Sequence, residues 1–157
     1  EEVRPEQATL VPDPPNVLTS NAGWDTIGRA EELKPIIDHI KGLGVRVSIF
    51  VEPEIDIIEG AAKLGTDRIE LYTEMYATAY RKTPEQAIAK YAAAAKRAHE
   101  LGIGINAGHD LDLENLNYLV KTIPHIDEVS IGHALICDAL YYGLENTIQL
   151  YLRELNI

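Results

Sequence analysis

Ile105-Asn106-Ala107-Gly108-His109-Asp110-Leu111 follows a short apolar run, Gly102-Ile103-Gly104-Ile105, and precedes a helical pattern from Leu113 to Ile123. A strand ends, the chain turns at a glycine, and a histidine stands on the turn. In a parallel α/β fold such a turn lies at the carboxyl end of the strand, where these folds bind ligands. One βα unit later the device recurs. Val129-Ser130-Ile131 is again a short β-type run, and Gly132-His133-Ala134 is again glycine then histidine ahead of a helix. Two such turns on consecutive units place two imidazoles and several free backbone N–H groups on one rim.

The rest of the chain reads as scaffold for that rim. Gln7-Ala8-Thr9-Leu10-Val11 is a short buried strand, stopped by Pro12-Asp13-Pro14-Pro15 because proline cannot donate to a ladder. Val17 to Gly28 is a polar loop with a Gly-Trp pair, of the length that functional loops have. Leu33, Ile36, Ile37 and Ile40 follow the spacing of an amphipathic helix, which Gly42 and Gly44 end. Val45 to Val51 is the clearest strand, β-branched and almost wholly apolar. A helix through Ile58, Ala61, Ala62 and Leu64 closes at Gly65, and Arg68-Ile69-Glu70-Leu71-Tyr72 is the third strand. Thr83-Pro84-Glu85-Gln86 opens a long helix, with Thr83 as N-cap, proline at the first helical position and glutamine completing a capping box. After Ile103–Ile105 come a helix with Leu116, Leu119, Val120 and Ile123, a strand over 128–131, and a last helix from Leu135 to Leu155.

These are five repeats of strand then helix, with strand centres roughly 24 to 35 residues apart, the period of βα units in a parallel sheet. No composition shift divides residues 1–157, so a single domain is expected. Two architectures fit: an open doubly wound sheet, and the later part of an eight-stranded barrel.

Composition narrows the function classes. Twenty-five acidic against 14 basic residues give a net charge of −11, which argues against nucleic acid or anionic membrane as the main partner. A phosphorylated small ligand stays compatible, because helix N-termini bind anions locally. The single cysteine, Cys137, cannot form an internal disulfide and fits a reducing cytoplasm. The first residues lack the shape of a signal peptide, and no apolar run would span a bilayer.

Four segments then occur together in order: Leu10-Val11-Pro12, Arg68-Ile69-Glu70-Leu71-Tyr72-Thr73, Asn106-Ala107-Gly108-His109 and Ile131-Gly132-His133-Ala134. The set resembles the pyridoxine 5′-phosphate synthase family, with a match running from Arg4-Pro5 to the final helix. The resemblance implies a TIM (β/α)8 barrel, of which this chain carries about five βα units, strands four to eight. It implies a homo-octamer, no cofactor and no metal. The implied reaction condenses 1-deoxy-D-xylulose 5-phosphate with 3-amino-2-oxopropyl phosphate, releasing inorganic phosphate and water. Residue by residue, His109 corresponds to the general acid and Glu70 to a carboxylate that stabilises the transition state. Thr19 corresponds to a contact to the deoxyxylulose phosphate, and Gly132, His133 and position 110 to contacts to the aminoketone phosphate. The family commonly has glycine at Asp110, histidine at Tyr72 and glycine at Glu74. Its members begin with roughly eighty further residues, enough for three βα units, which carry both general bases. A polypeptide of these 157 residues alone is therefore expected neither to close a barrel nor to turn over.

The chemistry suits the residue types. Each step of such a condensation moves protons, which favours groups titrating near neutrality. Two phosphates call for two anion sites, and glycine turns at helix starts supply them. Each residue also has a plainer reading. His109 and His133 could be capping side chains, Glu70 could pair with Arg46 or Arg68, and Thr19 could be a loop hydroxyl. His39, His99 and His125 are expected to be ordinary solvated side chains, and Cys137 a small packed one. Tyr141, Tyr142 and Tyr151, with Leu144, Ile148 and Leu152, could cover a subunit interface or pack on the preceding helix. The two Gly-His turns alone also fit another sugar-phosphate lyase or isomerase on a barrel, or a non-catalytic phosphate-binding module.

Overall fold

Period-two alternation along the strands sorts the sheet into two unlike faces. The computed structural model describes residues 2–14, 16–17 and 20–155. Among them are five strands: β1 (Gln7–Leu10), β2 (Arg46–Val51), β3 (Arg68–Leu71), β4 (Gly104–Ala107) and β5 (Ile126–Val129). The seven helices among the described residues are α1 (Ala30–Gly42), α2 (Ile55–Leu64), α3 (Glu74–Tyr80), α4 (Pro84–Glu100), α5 (Leu116–Thr122), α6 (His133–Tyr142) and α7 (Leu144–Glu154). All strand pairs are parallel, in the order β1-β2-β3-β4-β5.

That order separates the two architectures. A doubly wound sheet reverses its strand order at a switch point, whereas here each strand lies beside its predecessor. Right-handed crossovers in a sheet built in sequence put every connecting helix on the same side. The helix-side residues Val47, Ile49, Val51, Ile69, Leu71 and Ile105 are fully buried against Leu33 and Ile37 of α1, Ile58 and Ala61 of α2, and the alanine stripe of α4. The opposite face is polar. Arg46 donates to Gln7 at 2.8 Å, and Arg68 reaches Asn106 at 2.8 Å and Glu128 at 3.1 Å.

Several elements depart from expectation. The segment predicted as one last helix is two, broken at Gly143, whose φ of 79° and ψ of 145° no helix accommodates. Helix α3 was not anticipated; seven residues with only Tyr76 buried carry no stripe to read. The fifth strand sits earlier than 128–131, because the Asp127 carboxylate accepts the Ile105 N–H at 2.8 Å and shifts the register there. Thr83 and Pro84 do open α4, but no side-chain capping bond forms, so the expected capping box is absent. Cys137 is exposed rather than packed. His99 and His125 are exposed but stack face to face, ring centroids 3.7 Å apart. Gly65 closes α2 in the left-handed conformation, as its position suggested. No helix among the described residues is long and apolar enough to cross a membrane.

Candidate active site

The site begins with a close approach of backbone. Beyond β4 the chain passes over the end of β3, and the Gly108 N–H donates to the Leu71 carbonyl at 3.2 Å. A Cβ at position 108 would lie 3.0 Å from that oxygen, so any side chain would push the turn outward. The approach sets His109 over the carboxyl ends of β2 and β3. Its ring lies nearly parallel to Phe50, with centroids 5.9 Å apart, and to Tyr72, at 6.3 Å.

Glu70 points to the polar face and is 9% exposed. Burial holds its carboxyl above the ordinary range, and the charge of Glu128 adds to this; His109 and a hydrogen bond with Thr9 oppose it. Neither arginine proposed as a plain partner is spent on it, because Arg46 and Arg68 both pair with Glu128, at 3.4 and 3.1 Å. A buried carboxyl biased towards its neutral form, within the field of an imidazole, is a setting for proton exchange.

The second Gly-His turn comes to the same place. The Ser130 N–H donates to the Ala107 carbonyl at 3.0 Å, which keeps the exit of β5 beside that of β4. Gly132 is the N-cap of α6 and His133 its first residue, so the N–H groups of the first turn face outward without helical acceptors. His109, Gly132, His133, Ser20 and Ile136 line one open pocket of about 510 Å³. A larger groove, about 700 Å³, runs between α1 and α2, but its walls carry neither Gly-His turn. Thr19 lies outside the described residues; its neighbour Ser20 is on the pocket wall, and the Ser20 hydroxyl donates to Asp13. Asp110 turns its carboxylate towards β3, with Oδ2 3.7 Å from His109 Nε2 and accepting from the Thr73 hydroxyl at 3.5 Å.

The structure thus brings His109, Gly132 and His133 to one cavity, with Glu70 and Asp110 beside His109. Phe50 and Ser20 carry no site reading in the sequence, and Tyr72 stands there only as a departure from the family pattern. Phe50 shares the polar-side parity of Glu70 on the next strand, a signal available only once the register Phe50↔Glu70 is known. Ser20 arrives through a loop whose path has no periodicity.

Comparison with known proteins covers nearly the whole chain. The family model described as pyridoxal phosphate biosynthesis protein PdxJ matches residues 1–156. A protein of Cytophaga hutchinsonii named pyridoxine 5′-phosphate synthase is 65% identical over 155 residues, covering 99% of this chain and 65% of the relative. One of Bacteroides thetaiotaomicron with the same name is 60% identical over 149 residues, covering 95% of this chain and 63% of the relative. Another, of Porphyromonas gingivalis, is 56% identical over 155 residues, covering 99% and 65%. The chain therefore spans 63–65% of the length of these relatives.

Proposed function

The chain belongs to the PdxJ family of pyridoxal phosphate biosynthesis proteins, and from that premise we propose that it provides active-site residues of a pyridoxine 5′-phosphate synthase. The reaction joins 3-amino-2-oxopropyl phosphate to 1-deoxy-D-xylulose 5-phosphate, with loss of phosphate and water. The observation that carries the reading is the convergence of His109, Gly132 and His133 on one pocket at the carboxyl ends of adjacent strands. His109 is the general acid. The α6 N-terminus, entered through Gly132 and His133, receives the phosphate of the aminoketone, where free N–H groups and the helix dipole favour an anion. Glu70, buried and biased towards the neutral acid, stabilises charge that develops beside His109. Thr19 contacts the deoxyxylulose phosphate. Asp110 contributes its backbone N–H rather than its carboxylate, since the side chain is turned to Thr73.

The reading of the sheet as an arc of a (β/α)8 barrel is supported by five parallel strands in sequential order, one face packed by helices and the other polar. We propose that the chemistry also needs groups beyond these 157 residues, so that a polypeptide of these residues alone does not turn over. Leu140 and Tyr141, 81% and 86% exposed on α6, are available to a homo-octameric assembly. A cytoplasmic setting suits the exposed free thiol of Cys137.

The test is to mix the two substrates and record the absorbance of the pyridine ring. The full-length enzyme is expected to form product, and failure there removes the synthase assignment. Product from these residues alone would show that the further groups are dispensable. Saturable phosphate binding without product would favour a non-catalytic binding module.

A further inference from the structure

The ring contacts of His109 have a structural anchor that the proposed chemistry does not use. Phe50, Tyr72 and His109 form a triangle, with Phe50 and Tyr72 centroids 5.3 Å apart and the imidazole inclined 28° to both. Phe50 and Tyr72 are buried, so the imidazole rests on a packed floor rather than on mobile side chains. Tyr72 is held at three points. Its N–H donates to the Val51 carbonyl at 3.0 Å, and its own carbonyl accepts from the Tyr91 hydroxyl at 2.9 Å. Its hydroxyl donates to the Glu74 carboxylate at the start of α3. The backbone bonds fix where the ring starts, and the Glu74 bond fixes where it ends.

We infer that Tyr72, anchored through its hydroxyl by Glu74, is a positioning residue that sets the plane of the His109 imidazole. The inference rests on the reading of His109 as general acid. An imidazole on a surface turn rotates about two side-chain torsions, and proton delivery requires one narrow range of both. A flat neighbour on one side restricts the ring plane through aromatic contact. Asp110, 3.7 Å from Nε2, constrains the edge of the ring but not its tilt. The close Gly108 turn delivers His109 to this floor, and the Tyr72–Glu74 bond keeps the floor in place. Tyr72 touches no reacting atom in this scheme. Its hydroxyl is also unsuited to proton transfer near neutrality, since burial, then Glu74, hold it well above the ordinary tyrosine range.

The test compares Tyr72→Leu, Tyr72→Phe and Glu74→Ala in the full-length enzyme, reading steady-state kinetics and the His109 ring resonances by NMR. Tyr72→Leu is expected to lower kcat roughly tenfold while KM stays within about twofold, as for lost orientation rather than lost binding. Tyr72→Phe keeps the ring and is expected to recover most of that loss. The His109 resonances are expected to move clearly in Tyr72→Leu and little in Tyr72→Phe. Glu74 is exposed, so Glu74→Ala removes the anchor without opening the core; a roughly threefold lower kcat and broadened His109 resonances are expected. Equal kcat losses in Tyr72→Leu and Tyr72→Phe, a loss confined to KM, or unmoved His109 resonances in Tyr72→Leu or Glu74→Ala would overturn the inference. If the unsubstituted enzyme makes no product, the synthase reading fails, and the NMR comparison alone decides the role of Tyr72.

Discussion

In the proposed scheme His109 and Glu70 divide the proton chemistry between a partly exposed imidazole and a buried carboxyl. Replacing His109 with alanine in the full-length enzyme is expected to lower turnover at least a hundredfold, the scale of general acid catalysis. Its melting temperature should stay close to that of the parent, because the side chain stands on a turn outside the helix-side core. Stopped-flow absorbance and a thermal melt check the two halves. Glu70 makes a prediction about pH. Its carboxyl keeps a proton to higher pH in the folded chain than the ordinary value of 4.5. The folded state thus binds the additional proton across that interval, and stability falls as pH rises from 4.5 through the raised value. Glu70→Gln removes this titration, so the stability gap between variant and parent should widen in favour of the variant as pH rises through that window. Urea denaturation at a series of pH values measures the gap, and a constant gap would contradict the assignment. Both residues could be picked from the sequence, one from its Gly-His turn and the other as a lone carboxylate between Ile69 and Leu71. The ring contacts of Phe50 and Tyr72 could not, because nothing in either strand segment says which ring meets a turn one or two strands away.

Strand and helix boundaries show which local signals survive packing. Strands β2, β3 and β4 and helices α1, α2 and α4 follow hydrophobic periodicity, since each buries apolar residues at regular spacing, whereas β1 and β5 are only partly covered. Helices α6 and α7 read as one in the sequence because leucines and tyrosines continue across Gly143, and a single glycine is a weak break against that apolar pattern. The polar pair Asp127-Glu128 hid the start of β5, for there the carboxylates serve the ladder and the polar face instead of marking a loop. The loop between β1 and α1 carries its own prediction. Trp24 N–H donates to the Phe50 carbonyl at 2.8 Å, and a Cβ on Gly23 would sit 2.5 Å from the Glu52 nitrogen. Gly23→Ala must therefore part the loop from β2. A stability loss of about 1–3 kcal/mol is expected by chemical denaturation. Phosphate affinity should fall with it, because Ser20 on the same loop lines the pocket. Gly42→Ala, whose Cβ meets nothing within 4 Å, is the control expected to leave stability nearly unchanged.

Across the whole sheet the polar face is a single network. It runs from Gln7 on β1 through Arg46 and Arg68 to Asn106 and Glu128 on β4 and β5. No helix-side residue could reveal it, and in the sequence these side chains read as scattered surface charges. In the fold they alternate with the core residues of the same strands, so one register error would exchange the two faces. Their contributions should differ with exposure. Arg46 and Glu128 have side chains 40% and 42% exposed, and a pair of that kind contributes about 0–1 kcal/mol. Arg68 is 17% exposed and holds Asn106 as well as Glu128, so removing its partner leaves a charge with less access to water. Glu128→Ala is therefore expected to lower stability by about 1–2 kcal/mol, and Arg46→Ala by no more than about 0.5 kcal/mol. Arg68→Met combined with Glu128→Met should restore only part of the loss, since it removes the shielded charge but takes the guanidinium donor from buried Asn106 and leaves the more exposed Arg46 unmatched. A double-mutant cycle by urea denaturation separates the terms. The same cycle should leave a link to the site, because Glu128 helps hold the Glu70 carboxyl above its ordinary range. With Glu128 replaced by alanine, the pH at which Glu70 titrates should fall, so the stability decline assigned to Glu70 should be smaller and end closer to 4.5.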